Sequence, residues 1–293
     1  MSKSNLGRLI CAAAALIWGL SFVVMKDALD AFPVFTLLAL RFAGGFAIVG
    51  GVFFRRLRHL PAKTLRHGVI IGVFLAAGYI AQTFGLRETT PGKNAFLTAV
   101  YCVLVPFVDW VWCRRRPSGQ KLAAGVVCLA GVGLISLQES LTMGRGEALT
   151  LLSGVIYAFQ VACIAHFARE DDPVVLTVIQ FLVTAVICGV MALATETWPG
   201  SVTPAAWWQM AYLVVLATAG ALLMQNVGQS LTTSASAAIL LSLESVFGAL
   251  TSLILGRESL YARTLAGFLL VFSAVLLSVL ERERGDAKED NHV

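Results

Sequence analysis

Long apolar stretches alternate with short polar breaks along the whole chain. Several stretches carry no formal charge: Leu9–Met25, Gly68–Leu86, Leu122–Gln138, Ala148–Ala165 and Pro173–Thr195. Thr197–Leu243 is also charge-free but too long for one span, and the polar patch Gln229–Ser236 divides it. A helix needs roughly 20 apolar residues to cross a bilayer core. The pattern therefore predicts ten membrane helices, at 8–26, 33–54, 68–87, 94–113, 120–138, 147–167, 173–195, 207–229, 235–256 and 262–280. Pro33 and Pro173 suit the first turn of a helix, where the missing N–H leaves nothing unpaired.

Composition agrees. Of 293 residues, 58% are hydrophobic and 13% charged, with a mean hydropathy of +0.80. Soluble domains carry about 25% charged residues, so an ordinary soluble enzyme is excluded, and no sizeable soluble domain fits between the spans. The net charge is +5, but the charges form short clusters between apolar runs. That distribution points to membrane topology and not to nucleic acid. Placing the amino terminus in the cytoplasm puts Lys3, Arg8, Arg55, Arg56, Arg58, Lys63, Arg66, Arg114, Arg115, Arg116, Lys121, Arg169, Arg282, Arg284 and Lys288 inside. Lys26, Arg87, Lys93, Arg145, Arg257 and Arg263 then lie outside, and Arg41 falls within a span. Both termini are expected in the cytoplasm, with Glu281–Val293 a solvated tail. The run Leu9–Met25 is too long for a signal-peptide core and reads as a retained first span.

The chain repeats itself. Gln82, Gly85 and Thr89-Thr90 recur as Gln225, Gly228 and Thr232-Thr233, an offset of 143. Ala95, Leu97, Val103 and Arg114 match Ala238, Leu240, Val246 and Arg257 at the same offset, and Pro33-Val34 recurs as Pro173-Val174. Each half holds five spans, 1–143 and 144–281, followed by a tail at 282–293. Five is odd, so the halves must run in opposite orientations. Inverted repeats of this kind mark secondary transporters, with the substrate site near the midplane. The fold class expected is all-α integral membrane: ten transmembrane helices as two inverted five-helix repeats around a central cavity.

The sequence resembles the EamA family of the drug/metabolite transporter superfamily. The resemblance rests on Trp18-Gly19-x-Ser21-Phe22, Arg41-Phe42, Thr89-Thr90-Pro91-Gly92-Lys93-Asn94-Ala95, Leu243-Glu244-Ser245-Val246 and Leu255-Gly256-Arg257-Glu258. It covers residues 5 to 281. Family members usually carry Pro after the span-nine glutamate; Ser245 stands there, while span four keeps Pro106. The resemblance implies export of small metabolites or amino acids from the cytoplasm across a plasma (bacterial inner) membrane by alternating access. YddG-like exporters of amino acids, aromatic ones included, share the ten-helix plan. A multidrug exporter on the same fold is the alternative.

The family places spans one, three, four and six around the cavity. That makes Trp18, Phe22, Tyr79, Tyr101, Tyr157 and Phe159 candidates for an aromatic wall. Glu244 sits mid-span, where an ionisable group is costly and marks a functional site; it is a candidate for substrate ammonium or a proton. Gln82 and Gln225 are repeat-related amides suited to a zwitterion or a helix–helix bond. Arg41 is a candidate for a substrate carboxylate, or snorkels or pairs structurally. Asp109 is expected to pair with the Arg114 cluster; Asn94 and Asn226 are weaker candidates. Trp110, Trp112, Trp198, Trp207 and Trp208 read as an interfacial belt. The glycines at 44, 45, 50, 51, 68, 72, 125, 131 and 133 read as packing positions.

Catalysis finds no support. His59, His67, His166 and His292 lie at span ends, in loops or in the tail, and no HExxH or Ser-His-Asp set occurs, which disfavours a membrane-embedded enzyme. No GxxxxGK[ST] phosphate loop is present. The six cysteines, Cys11, Cys102, Cys113, Cys128, Cys163 and Cys188, form no CxxC pair and read as packing residues. No cofactor, metal or nucleic-acid partner is expected. The partners are a small-molecule substrate and the lipid bilayer, and a monomer suffices to hold both halves.

Overall fold

The computed structural model describes residues 3–58, 60–113, 119–136, 143–232, 234–257 and 261–289. Every long apolar stretch becomes helix, because lipid supplies no partner for an open backbone. The order is α1 (Lys3–Ala28), α2 (Val34–Val52), α3 (Ala62–Glu88), α4 (Pro91–Thr98), α5 (Tyr101–Cys113), α6 (Gly119–Ser136), α7 (Arg145–Phe167), α8 (Pro173–Thr195), α9 (Pro204–Tyr212), α10 (Ala221–Leu231), α11 (Ser234–Ile254) and α12 (Ala262–Glu289). Among the described residues, seven segments are long and apolar enough to cross a membrane: Lys3–Ala28, Val34–Val52, Ala62–Glu88, Pro91–Val111, Arg145–Phe167, Pro173–Thr195 and Pro204–Leu231. Leu240–Ile254 and Leu265–Ala274 are shorter apolar helical stretches.

Two spans expected to be continuous are broken. The fourth divides into α4 and α5, where the amides of Cys102 and Val103 bond back only three residues, to Ala99 and Val100 at 3.1 and 3.0 Å. The eighth passes through a wide π-helical segment, Leu213–Gly220, between α9 and α10. Such segments recur at functional sites. At the carboxyl end, α12 continues as helix past the expected limit at 280 to Glu289. The Glu- and Arg-rich sequence Glu281–Arg284 is a strong helix former, which overrides a boundary drawn from hydropathy alone.

Glycine sets the helix spacing. A Cβ on Gly68 would lie 2.7 Å from Ile179, and one on Gly72 2.7 Å from Val183, so α3 and α8 pack backbone to side chain. Gly44 and Gly45 of α2 meet Val214 and Thr218 of the π segment, and Gly131 of α6 meets Gly267 and Val271 of α12. Gly51 is different: it faces open space and has no packing role. Across the two sequence halves, Gly7 of α1 packs on Gly228 and Leu231 of α10, and Gly85 of α3 packs on Gly146 and Thr150 of α7.

Polar links tie the helix ends together. At one mouth Lys26, closing α1, donates to the carbonyls of Leu86, Arg87 and Thr89 at 2.7, 2.8 and 2.8 Å. A cation there complements the carbonyl end of α3. Asp27 pairs with Arg257 at 2.8 Å. Gly146, opening α7, abuts Glu88 and Thr89 at this same mouth, so α7 begins where α1 ends. Glu196 accepts from the amides of Phe35 and Thr36 at 2.9 and 2.7 Å, capping α2. At the other mouth the loop before α3 and the loop between α7 and α8 are joined. Arg56 pairs with Asp172 at 2.9 Å, Lys63 with Glu170 at 2.6 Å, and His67 with Asp171 at 2.6 Å; the Thr64 hydroxyl also donates to Asp171.

Candidate functional site

A cavity opens in the helix core, built by regular helical spacing. From α1 come Trp18, Ser21, Phe22 and Met25; from α3 Leu75, Tyr79, Gln82 and Leu86; from α7 Tyr157, Gln160 and Val161. Positions three, four and seven apart share one helix face, which is why each helix contributes a cluster. Arg41 of α2, Thr98 of α4, Tyr101 of α5, Leu222 and Gln225 of α10 and Glu244 of α11 complete the wall. Thr98 and Tyr101 flank the break between α4 and α5. The cavity measures about 50 Å³ to the centre of a water-sized sphere.

Of the residues singled out in the sequence, Trp18, Phe22, Tyr79, Gln82, Tyr101, Tyr157, Gln225 and Glu244 lie on this wall, as does Arg41. Phe159 does not. It is two residues past Tyr157, about 200° round the helix; it is 39% exposed and stacks on Phe74 at 5.8 Å. Asn94 and Asn226 are buried beside the cavity, not on it: Asn94 donates to Thr150 at 2.7 Å and Asn226 to Thr177 at 2.6 Å. Asp109 is half-buried on α5, and its expected partner Arg114 lies outside the described residues. Trp110, Trp198, Trp207 and Trp208 are exposed, as a belt requires; the Trp112 side chain lies outside the described residues, as does that of Cys113. The other five cysteines are buried and unpaired.

Arg41 neither snorkels nor pairs. It is 1% exposed and forms no ion pair among the described residues. Its guanidinium is held by neutral groups: the Thr218 hydroxyl, the Tyr79 hydroxyl at 3.2 Å, the Ala217 carbonyl at 3.3 Å and the Met25 sulfur at 3.2 Å. It also lies over the Tyr79 ring, 4.7 Å from the centroid. The π segment makes this possible, because its wide turn presents the Ala217 carbonyl, which Trp18 Nε1 also reaches at 2.9 Å. Glu244 is buried, at 5% exposure, on the same wall as Tyr101. It too has no ion pair among the described residues. The cavity thus carries one buried guanidinium, held by neutral partners, and one buried carboxyl group.

The remaining polar groups orient the wall. Tyr157 donates to the Gln82 side-chain oxygen Oε1 at 3.1 Å, and Gln82 Nε2 donates to the Thr98 hydroxyl at 3.1 Å. Tyr79 meets Phe42 and Tyr157 edge to face, with centroids 5.0 and 5.7 Å apart. Sequence reasoning did not single out Ser21, Thr98 or Gln160. Ser21 and Gln160 stand three residues after Trp18 and Tyr157, a spacing that placed them on the same faces.

The wall follows the internal repeat. At an offset of 143, Tyr79, Gln82 and Tyr101 correspond to Leu222, Gln225 and Glu244; at 139, Trp18, Ser21 and Phe22 correspond to Tyr157, Gln160 and Val161. Residues 5–137 and 144–280 each match the model of the EamA-like transporter family. The chain belongs to the EamA-like transporter family. This makes it an integral membrane transporter, with the bilayer and a small-molecule substrate as partners. The transporter is 31% identical over 271 residues, 91% of its length and 83% of the other's, to a protein named "uncharacterized transporter" from Archaeoglobus fulgidus. Its fold is similar to that of a crystal structure with a TM-score of 0.70 and 20% identity, covering 96% of this chain and 98% of that one. Among the described residues no cluster of His, Cys, Asp or Glu is arranged to hold a metal.

Proposed function

We propose that this transporter exports amino acids from the cytoplasm, hydrophobic and aromatic ones included, by alternating access. The single observation that carries the reading is the pair Arg41 and Glu244. Both line one cavity, one basic and one acidic, and no ion pair joins them. A zwitterion placed between them meets a guanidinium with its carboxylate and a carboxylate with its ammonium. Charge-assisted hydrogen bonds of this kind are roughly twice as strong as neutral ones. Trp18, Phe22, Tyr79, Tyr101 and Tyr157 then face the side chain, while Gln82 and Gln225 supply neutral hydrogen bonds.

The machinery proposed is ten spans in two inverted five-helix halves, 1–143 and 144–281, with 282–293 as tail and both termini in the cytoplasm of a cell with this protein in its inner membrane. Three features support inversion. Five predicted spans fall in each half. The helix α7 begins at the mouth where α1 ends. The first helix of each half packs through glycine on the third-span helix of the other, Gly7 on Gly228 and Gly146 on Gly85. Two similar halves can exchange open and closed mouths about a fixed site.

The test is counterflow in proteoliposomes preloaded with unlabelled amino acids, following a labelled one with and without a proton gradient. Saturable exchange of several amino acids, weakened in Arg41→Met and Glu244→Gln, is the expected result. No exchange by folded protein with any amino acid, together with flux of cationic dyes, would assign the cavity to drugs instead.

A further inference from the structure

The mechanism above leaves one group of buried side chains unused. From the cavity, a seam of amides and hydroxyls runs between α7, α8 and α10 toward the mouth where Lys3 begins. Gln160 and Gln225 stand at its cavity end. Gln160 donates to Gln180 at 3.5 Å, Asn226 to Thr177 at 2.6 Å, and Gln229 to the Val161 carbonyl at 3.3 Å. Its far end lies near Thr232, whose hydroxyl is 3.4 Å from that of Ser4.

These amides are deeply buried, at 0% exposure for Gln180, 4% for Gln225, 1% for Asn226 and 2% for Gln229. Yet Gln180 Nε2 and the side-chain oxygens of Gln225, Asn226 and Gln229 have no hydrogen-bond partner among the described residues. A structural network in a membrane interior is expected to be closed, since a half-satisfied one is worse than apolar packing. The repeat shows that the helix packing does not demand amides here. The positions matching Asn226 and Gln229 in the other half are Thr83, whose hydroxyl is satisfied by the Tyr79 carbonyl at 2.6 Å, and Leu86. Only one half carries amides here.

We propose that this amide seam is the passage between the cavity and the mouth at Lys3, closed in this conformation, and that its side chains hydrogen-bond the polar solute as it passes. Gln180, Asn226 and Gln229 each keep one unpartnered side-chain polar atom for a solute that arrives when α10 moves from α7 and α8. Amides and hydroxyls offer donors and acceptors without net charge, so the seam suits zwitterionic or neutral polar solutes. The inference rests on the alternating-access reading but not on the amino-acid assignment.

The test is cysteine labelling with a charged, membrane-impermeant methanethiosulfonate added to either side of proteoliposomes. The variants are Asn226→Cys and Gln229→Cys, with Ala274→Cys, buried between α6 and α12, as control and the parent chain as background. Both seam variants should react from the Lys3 side alone, about tenfold or more faster than the control, as local opening exposes them. Modification no faster than the control, or from the opposite side, would overturn the proposal. Gln229→Leu supplies the second readout: a dewetted seam should slow counterflow about tenfold, with equilibrium binding to the cavity, read by Trp18 fluorescence, unchanged. Parental flux in Gln229→Leu would equally overturn it. Labelling requires no substrate, so it stands or falls separately from the amino-acid reading.

Discussion

Replacing Arg41 by Met tests the charge pair at the cavity most directly. Met fills the space of the aliphatic stem and removes only the guanidinium. The groups left behind are few: the Ala217 carbonyl keeps Trp18 Nε1 at 2.9 Å, and the hydroxyls of Thr218 and Tyr79 can rotate. The expected cost in stability is therefore about 0.5–1.5 kcal/mol, the net scale of one ordinary hydrogen bond. Its effect on substrate should be larger and selective. A charge-assisted bond to a carboxylate contributes about 1.5–3 kcal/mol, which is roughly 10- to 150-fold in affinity. The assay is counterflow of labelled phenylalanine, competed by unlabelled phenylalanine or by phenethylamine, which lacks the carboxylate. Arg41→Met should weaken phenylalanine by that factor and phenethylamine by less than about threefold. Arg41→Lys, with charge but no planar fork, should fall between. An equal loss for both compounds would refute the reasoning, since Arg41 would then hold the wall and not the carboxylate.

Four other predictions concern the packing, the cavity and the loops. Gly19→Ala should destabilise the protein by about 1–3 kcal/mol in thermal melts, as overpacking does, because its Cβ would fall 2.3 Å from that of Phe247. Gly51→Ala, with open space around it, should be neutral or slightly stabilising. Phe159→Ala should leave counterflow within about twofold of the parent while Tyr157→Ala abolishes it, since only Tyr157 faces the cavity. The Asp171 carboxyl is pushed up by burial, but hydrogen bonds from Thr64 and His67 outweigh this and hold it below its ordinary value of 3.8. A depressed folded value means the carboxylate contributes stability above pH 3.8 and loses it as pH falls through the folded value. The gap in melting temperature between the parent and Asp171→Asn should therefore be full near neutrality and vanish in strong acid; a gap unchanged down to that range would disprove the assignment.

The sequence alone determined the class of protein, the helical stretches and the internal repeat. These follow from local quantities: the length of an apolar run, the clustering of charge, and residues recurring at a fixed offset. It also placed Trp18, Tyr79, Gln82, Tyr101, Tyr157, Gln225 and Glu244 on one cavity through the family resemblance and the repeat. Tertiary structure decided the rest. Hydropathy does not report which side of a helix faces inward, so Phe159 looked as suitable as Tyr157 although it points the other way. Arg41 could be weighed only once the π segment brought the Ala217 carbonyl and Thr218 to it from a distant part of the chain. The same holds for the amides of α7, α8 and α10. Each is unremarkable in its own helix, and only packing three helices together reveals polar atoms that the fold leaves unpaired.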